Sequence, residues 1–176
     1  MDQAFSHQLV ALLPRLRRFA RGLTHGSEEG DDLVQAACER ALARRDQFEP
    51  GTRLDSWMYR IVQNIWLDSR RRQKKEAISL DPADLAQHAA PAAHAAEDGL
   101  YLAQVREAIA TLPEEQRTVL MLVTVEGVTY RDAAGILELP LGTVMSRLSR
   151  ARVALGHALE NRAARKSEAA IIRIRR

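Results

Sequence analysis

Residues 140–155 read PLGTVMSRLSRARVAL, and the side chains there that can act on another molecule are Thr143, Met145, Ser146, Arg147, Ser149, Arg150 and Arg152. At about 100° per residue, Val144, Leu148, Ala151 and Leu155 fall on one stripe of a helix, with Ser146, Ser149 and Arg150 opposite. Small serines let a backbone approach base edges in a DNA groove, and the long stems of Arg147 and Arg152 reach the phosphate walls on either flank. A second set lies in residues 48–71, where Phe48, Thr52, Arg53, Trp57, Tyr59, Arg60, Asn64 and Arg71 mix aromatic rings with guanidinium groups. Rings stack on unpaired bases and cations take the strand's phosphates. The chemistry of both sets is non-covalent recognition of a polyanion. Taken alone, each has a plainer alternative: a solvated basic helix for the first, and core packing of Trp57 with a solvated run Arg70 to Lys75 for the second.

Nothing in the chain points to covalent chemistry. There is no phosphate loop, nucleophile elbow or paired-acid motif, and the five histidines have no ligand-like spacing. The single cysteine, Cys38, has no partner for a disulfide and no second thiol for a zinc site, so it reads as helix packing. We expect no enzymatic activity, no metal and no cofactor. No apolar run is long enough to span a bilayer, and the N-terminus has no signal-peptide core, so the expected location is cytoplasmic without membrane insertion.

The elements that must position these residues are helical. Aromatics are scarce, alanine, leucine and arginine are abundant, and the 176 residues suffice for one medium domain or two small ones. The net charge of +3 is unevenly placed: residues 53–76 and the C-terminal quarter are basic, whereas residues 77–98 carry only acidic charges. Residues 77–98 are also alanine-rich and contain Pro82 and Pro91, the composition of a tether. The expected fold is therefore all-α, with two small helical domains joined by a flexible linker. The boundaries are 1–76, 77–98, 99–160 and a basic tail 161–176, whose role the pattern leaves open between DNA contact, protein contact and a disordered end.

In the first domain, Phe5, Leu9, Leu12, Leu13, Leu16, Phe19 and Leu23 keep helical spacing across Pro14, which opens a second helix or kinks the first. Gly22, Gly26 and Gly30 mark a turn, after which Asp31 and Asp32 start a helix with Val34, Ala37, Cys38 and Ala41 inward and Asp32, Gln35 and Glu39 outward. First-turn aspartates suit the helix dipole, and on the residues alone that explanation is preferred to a partner-binding role. After the loop 48–53, Leu54, Trp57, Met58, Ile61 and Ile65 share one face, with Arg60, Asn64 and Arg71 on another.

In the second domain, Leu100, Leu102, Val105, Ile109 and Leu112 indicate one helix, and Pro113 suits the first position of the next, which stops near Gly127. Thr129 with Asp132 resembles a capping box for a short helix carrying Ala133, Ala134 and Ile136 or Leu137 inward. The break at Leu139 to Gly142 forces a steep crossing into the serine-arginine helix. A short capped helix, a tight turn and an arginine-flanked second helix read as a helix-turn-helix, which favours DNA binding over a purely structural hairpin.

These residues together resemble the bacterial sigma factors, in particular the small two-domain extracytoplasmic-function (ECF) group, over nearly all of residues 8–160. DDLVQAACERAL, residues 31–42, is similar to the family's helix that docks on core RNA polymerase. FEPGTRLDSWMYRIVQNIWLDSRRR, residues 48–72, is similar to its minus-ten-reading segment, and residues 112–152 to its minus-thirty-five-binding domain. The resemblance implies a non-catalytic polymerase subunit, controlled by an anti-sigma factor, that contacts duplex promoter DNA and captures the melted non-template strand. Asp31, Asp32, Gln35 and Glu39 would meet the polymerase. Phe48 to Arg53 would hold a flipped minus-ten base, with Trp57, Tyr59, Arg60, Asn64 and Arg71 beside it. Thr143, Met145, Ser146, Ser149 and Arg150 would face the minus-thirty-five groove, and Arg147 and Arg152 its phosphates. The chain departs from many members at Ala36, where an acidic residue is common, and at Met145, where Lys or Arg is common.

Two other classes compete. A sigma-like decoy would sequester an anti-sigma protein without binding promoters; such decoys usually carry a receiver domain, for which this sequence has no room, and can lose DNA-facing residues that are kept here. A stand-alone dimeric repressor would use the helix-turn-helix and leave the first domain idle.

Overall fold

The computed structural model describes residues 2–24, 26–79 and 97–174. Helix α1 (Asp2–Leu23) buries Leu9, Leu16, Phe19, Ala20 and Leu23, a stripe at helical spacing. Pro14 neither ends it nor opens a new helix. The carbonyl that a proline at this position leaves without a donor belongs to Val10, which is 62% exposed, so water can take it.

Helix α2 (Ser27–Ala43) starts one turn earlier than expected. Gly26, in extended conformation, caps it, and the first-turn acids are Glu28 and Glu29. Asp31 and Asp32 are therefore not placed by the dipole. Gly30 belongs inside α2 because α1 passes so close that a Cβ there would lie 2.7 Å from Cγ and 3.0 Å from Cα of Arg21. Val34, Ala37 and Ala41 are buried as expected and Cys38 half-buried.

A 3-10 turn (Arg45–Gln47) and the loop 48–53, with Gly51 in the left-handed region at φ 92°, lead into α3 (Leu54–Ser79). Its buried stripe is wider than the sequence pattern predicts. Leu54, Met58 and Ile61 are joined by Tyr59, Val62 and Trp66, while Trp57 and Ile65 are only half-buried.

Most of the segment read as a tether, residues 80–96, lies outside the described residues. Helix α4 (Glu97–Ala110) turns Ala108 inward but leaves Leu102 exposed, against the expectation for that residue. Pro113 stands just ahead of α5 (Glu114–Leu120) as its cap rather than as its first residue, and Val119 and Leu120 are buried. The helix then widens into a π-turn, Met121–Val125, in which the Glu126 N–H donates to the Met121 carbonyl at 3.0 Å, and it stops at Gly127 with φ 69°.

The short helix α6 (Tyr130–Leu137) is capped by Thr129, whose side chain accepts from the Asp132 N–H at 3.1 Å. The turn that follows is Glu138–Pro140. Leu141 and Gly142, expected in the break, are already the first residues of α7 (Leu141–Ile174), and α7 carries the tail beyond residue 160 as one continuous helix. Val144, Leu148 and Ala151 are buried against α5 and α6. The fold is all-α, and its C-terminal half is a helix-turn-helix on a two-helix floor.

The halves pack on each other through α1 against the π-turn and α3 against α6, so buried residues of both form one cluster that includes Phe19, Leu23, Met58, Val119 and Leu122. Gly22 permits the first contact, since a Cβ there would collide with the Met121 thioether.

Candidate nucleic-acid interface

The serine-arginine face of α7 is open. Met145, Ser146, Ser149, Arg150 and Arg152 are exposed and Thr143 is half-buried. Ser146 donates to the Thr143 carbonyl at 3.0 Å, and Arg150 folds back on Ser146, bonding its carbonyl and its hydroxyl at 3.3 Å each. These are weak local contacts that a base or phosphate can replace. Arg147 differs from expectation: it lies over α5 in a 2.6 Å ion pair with Glu115, because its position on the flank faces the helical floor. A shallow groove between α6 and α7, lined by Tyr130, Arg131, Leu141 and Met145, borders this face.

The loop 48–53 and α3 bring Phe48 and Trp57 together with Phe5 of α1. Their ring centroids are 5.8 Å (Phe5 and Phe48), 6.3 Å (Phe5 and Trp57) and 5.4 Å (Phe48 and Trp57) apart, so each ring is partly used in packing. The Thr52 hydroxyl donates to the Glu49 carbonyl at 2.7 Å and closes the loop. Asn64 is exposed and Arg71 pairs with Asp68 at 3.3 Å.

Three residues of this set meet the second half of the chain, Tyr59 out of solvent and Arg53 and Arg60 with about half of each side chain still exposed. Tyr59 is fully buried, edge-on to Phe19 at 5.1 Å, with its hydroxyl 2.9 Å from Glu126; the expectation that it lines an open surface is corrected, because α3 is covered on that side. Burial, and then Glu126, push its phenol above the ordinary range. Arg53 divides its guanidinium between Asp55 at 2.8 Å and Asp132 at 2.7 Å. The hydrogen bond from Arg53 holds the Asp55 carboxyl below its ordinary range against the opposing effect of burial. Arg60 donates to the Gly135 carbonyl at 2.5 Å and lies 3.5 Å from Glu138.

On α2, Asp32, Gln35 and Glu39 are exposed, and Gln35 donates to Glu39 at 3.1 Å. Asp31 is tied to Arg21 at 2.7 Å, and the hydrogen bond from that guanidinium keeps its carboxyl low. Asp31 therefore meets a partner only by exchanging an internal one.

Glu126, Arg15, Arg18 and Glu138 were not singled out by sequence reasoning. The Glu126 carboxylate has no exposed surface, and it accepts from Arg18 at 2.7 and 2.9 Å, from Tyr59 at 2.9 Å and from Arg15 at 3.4 Å. The available signal was a lone acid closing the apolar run VLMLVTVEGV, matched by arginines three residues apart on the polar side of α1. Among the described residues no cluster fit to hold a metal is present, and no helix is long and apolar enough to cross a membrane.

Comparison with known proteins assigns both halves of the chain to known families. Residues 102–155 match the family described as Sigma-70, region 4, and residues 9–63 the family described as Sigma2 domain of PhyR. The ECF RNA polymerase sigma factor EcfG of Rhodopseudomonas palustris is 36% identical over 155 residues, which cover 86% of this chain and 83% of that protein. The sigma factor RpoE, solved in complex with the anti-sigma factor NepR from Bartonella quintana, superposes with a TM-score of 0.81 at 33% identity, covering 90% of this chain and 98% of that one. The PhyRSL-NepR complex from Sphingomonas sp. Fr1 gives 0.64 at 27% identity, with 87% of each chain covered. A helix-turn-helix half of the sigma-70 region 4 kind, preceded by a sigma2-like half, defines a sigma factor, a class of transcription protein that is not an enzyme. Within that class the chain belongs to the ECF RNA polymerase sigma factors.

Proposed function

We propose that this chain binds core RNA polymerase, recognises promoter DNA through two separate surfaces and promotes transcription initiation in the cytoplasm under the control of an anti-sigma factor. In this reading residues 1–76 bind the polymerase and the minus-ten element, 77–98 connect, and 99–160 bind the minus-thirty-five element. The observation that carries it is the open face of Ser146, Ser149 and Arg150 on a helix whose opposite side is anchored in the core. Arg150 reads a base there, and Arg152 takes a phosphate. Arg147 takes one after release from Glu115. Phe48 to Arg53, with Trp57, Arg60, Asn64 and Arg71, hold the melted non-template strand, and Asp31, Asp32, Gln35 and Glu39 face the polymerase. An anti-sigma partner is supported by RpoE, which was solved with NepR.

The test is transcription by the purified chain with core polymerase on a genomic promoter library, with sequencing of the transcript starts. Starts sharing two spaced upstream elements are expected; none on any promoter refutes the reading. A second reading is favoured by the match of residues 9–63 to the sigma2 domain of PhyR: a chain that binds an anti-sigma protein without starting transcripts. Anti-sigma binding with no transcript from the same library selects it.

A further inference from the structure

Among the described residues the acids of the second half paired with the first are Glu114, Glu126, Asp132 and Glu138, each with an arginine of the first half; Glu114 lies 3.5 Å from Arg70, away from the strand-reading set. Glu126 takes Arg15 and Arg18, Asp132 takes Arg53, and Glu138 lies beside Arg60. Arg53 and Arg60 belong to the surface read above as the holder of melted DNA. Arg15 belongs to the same charged group, because it also approaches Asp55 at 3.5 Å, and Asp55 in turn holds Arg53. Arg53, just ahead of α3, and Arg60 on it are therefore engaged by α6 and the turn after it while staying partly exposed, and the serine-arginine face of α7 stays open.

Carboxylates and phosphodiesters make the same demand on a guanidinium, a planar pair of donors answered by paired anionic oxygens. We propose that the second half of the chain is an intramolecular plug: Glu126, Asp132 and Glu138 occupy the arginines that the phosphates of a single DNA strand take when the halves separate, so strand and plug compete for one surface. Arg15 and Arg18 of α1 are thereby assigned as phosphate contacts of the opened protein. Packed, the chain offers its duplex-reading face and withholds its strand-reading face. A melted strand, once bound, holds the two halves apart. The inference rests on the reading of residues 48–71 as strand-binding and adds to it the ligand of Arg15 and Arg18 and the residue that displaces that ligand.

The test uses the whole chain without polymerase, so that it stands or falls separately from the transcription assay. Wild type and Glu126→Gln/Asp132→Asn are compared by small-angle X-ray scattering and by anisotropy with a labelled, mixed-sequence single-stranded DNA of about 16 nucleotides, a typical site size. Glu28→Gln/Glu160→Gln is the control; it removes the same charge from exposed positions away from the contact. The plug variant should show a larger radius of gyration and roughly tenfold tighter binding at low salt. Freeing Arg15, Arg18 and Arg53 should steepen the dependence of log affinity on log salt by about 2, at roughly 0.7 per phosphate for a single strand.

An unchanged radius with unchanged affinity overturns the proposal. So does opening without a gain in affinity, or an equal gain in the control. If circular dichroism shows that loss of the buried Glu126 charge unfolds the chain, Asp132→Asn/Glu138→Gln replaces it. Both of those side chains touch solvent, at 33% and 73% exposure, and their loss frees Arg53 and Arg60. That variant must move affinity and radius in the same directions, and failure to do so overturns the proposal.

Discussion

Tyr59→Phe removes one oxygen and leaves a ring whose packing on Phe19, edge-on at 75°, is unaffected. What is lost is a 2.9 Å hydrogen bond from the phenol to the Glu126 carboxylate, which has no exposed surface. A hydrogen bond to a charged group contributes about 1.5–3 kcal/mol. Two features place this one at the lower end. Arg18 continues to donate at 2.7 and 2.9 Å, so the carboxylate is not orphaned, and the rotated ring introduces no new polar group into the core. The Arg18 pair is charge-assisted and reaches a carboxylate with no exposed surface, so it remains in place in the variant and keeps Glu126 satisfied. The expected loss is about 1.5 kcal/mol, read as a shift of the urea midpoint at neutral pH with the slope unchanged and followed by both circular dichroism and tryptophan fluorescence. In a cycle with Glu126→Gln the two losses should be less than additive, because both remove members of one contact. An unchanged midpoint together with weaker binding of single-stranded DNA would refute the reasoning, since it would put the Tyr59 hydroxyl on the DNA surface and not in the core.

Three further outcomes follow from the same geometry. Gly30→Ala gains up to about 1 kcal/mol of helix propensity, but its Cβ meets Arg21 backbone at 3.0 Å, so overpacking of about 1–3 kcal/mol outweighs the gain and the thermal midpoint falls. Asp55 is held below its ordinary 3.8 by Arg53, so its contribution to stability is complete above pH 3.8 and is lost as pH falls through the lower folded value; Asp55→Asn should flatten that part of an acid-unfolding curve. Arg150→Ala, assayed with core polymerase, should cost about 1–3 kcal/mol at promoters with the preferred minus-thirty-five sequence and nothing at promoters lacking it; an equal loss on every sequence would make Arg150 a phosphate contact.

What could be read in the sequence was whatever is decided within one or two helical turns. The Thr129 cap, the inward stripe Val144, Leu148 and Ala151, the stripe Val34, Ala37 and Ala41, and the stop at Gly127 all follow from local periodicity and local hydrogen-bonding chemistry. The misreadings occurred where a distant segment decided the outcome. Gly30 looked like a turn residue because a glycine costs stability inside a helix, and only the approach of α1 explains it there. Glu138 takes the left-handed position at φ 54° that a sequence reader reserves for glycine or asparagine, and its carboxylate lies beside Arg60. Asp132 fits a capping box, yet its carboxylate serves Arg53, a residue 79 positions away. The candidate DNA surfaces were legible as residue types. That Tyr59, Arg53 and Arg60 face the chain's own second half was not, because no local pattern encodes which face of one helix meets another across a connecting segment.

The π-turn at Met121–Val125 makes residue count as important as residue identity in this part of the chain. An α-helix advances about 100° per residue, so the wider turn changes the direction in which everything after it points. Glu126 follows directly and meets the arginines of α1 only from its present bearing. Winding these residues as ordinary α-helix with none removed would turn the carboxylate by about a quarter of a circle, whereas deleting one would replace the wide turn by an ordinary one and leave the carboxylate near its present bearing. Exchanges of one apolar residue for another should be tolerated between 121 and 125, whereas a one-codon insertion, which turns Glu126 by about 100°, should uncouple the halves, so that added length in this stretch tracks inter-half contact more closely than composition does.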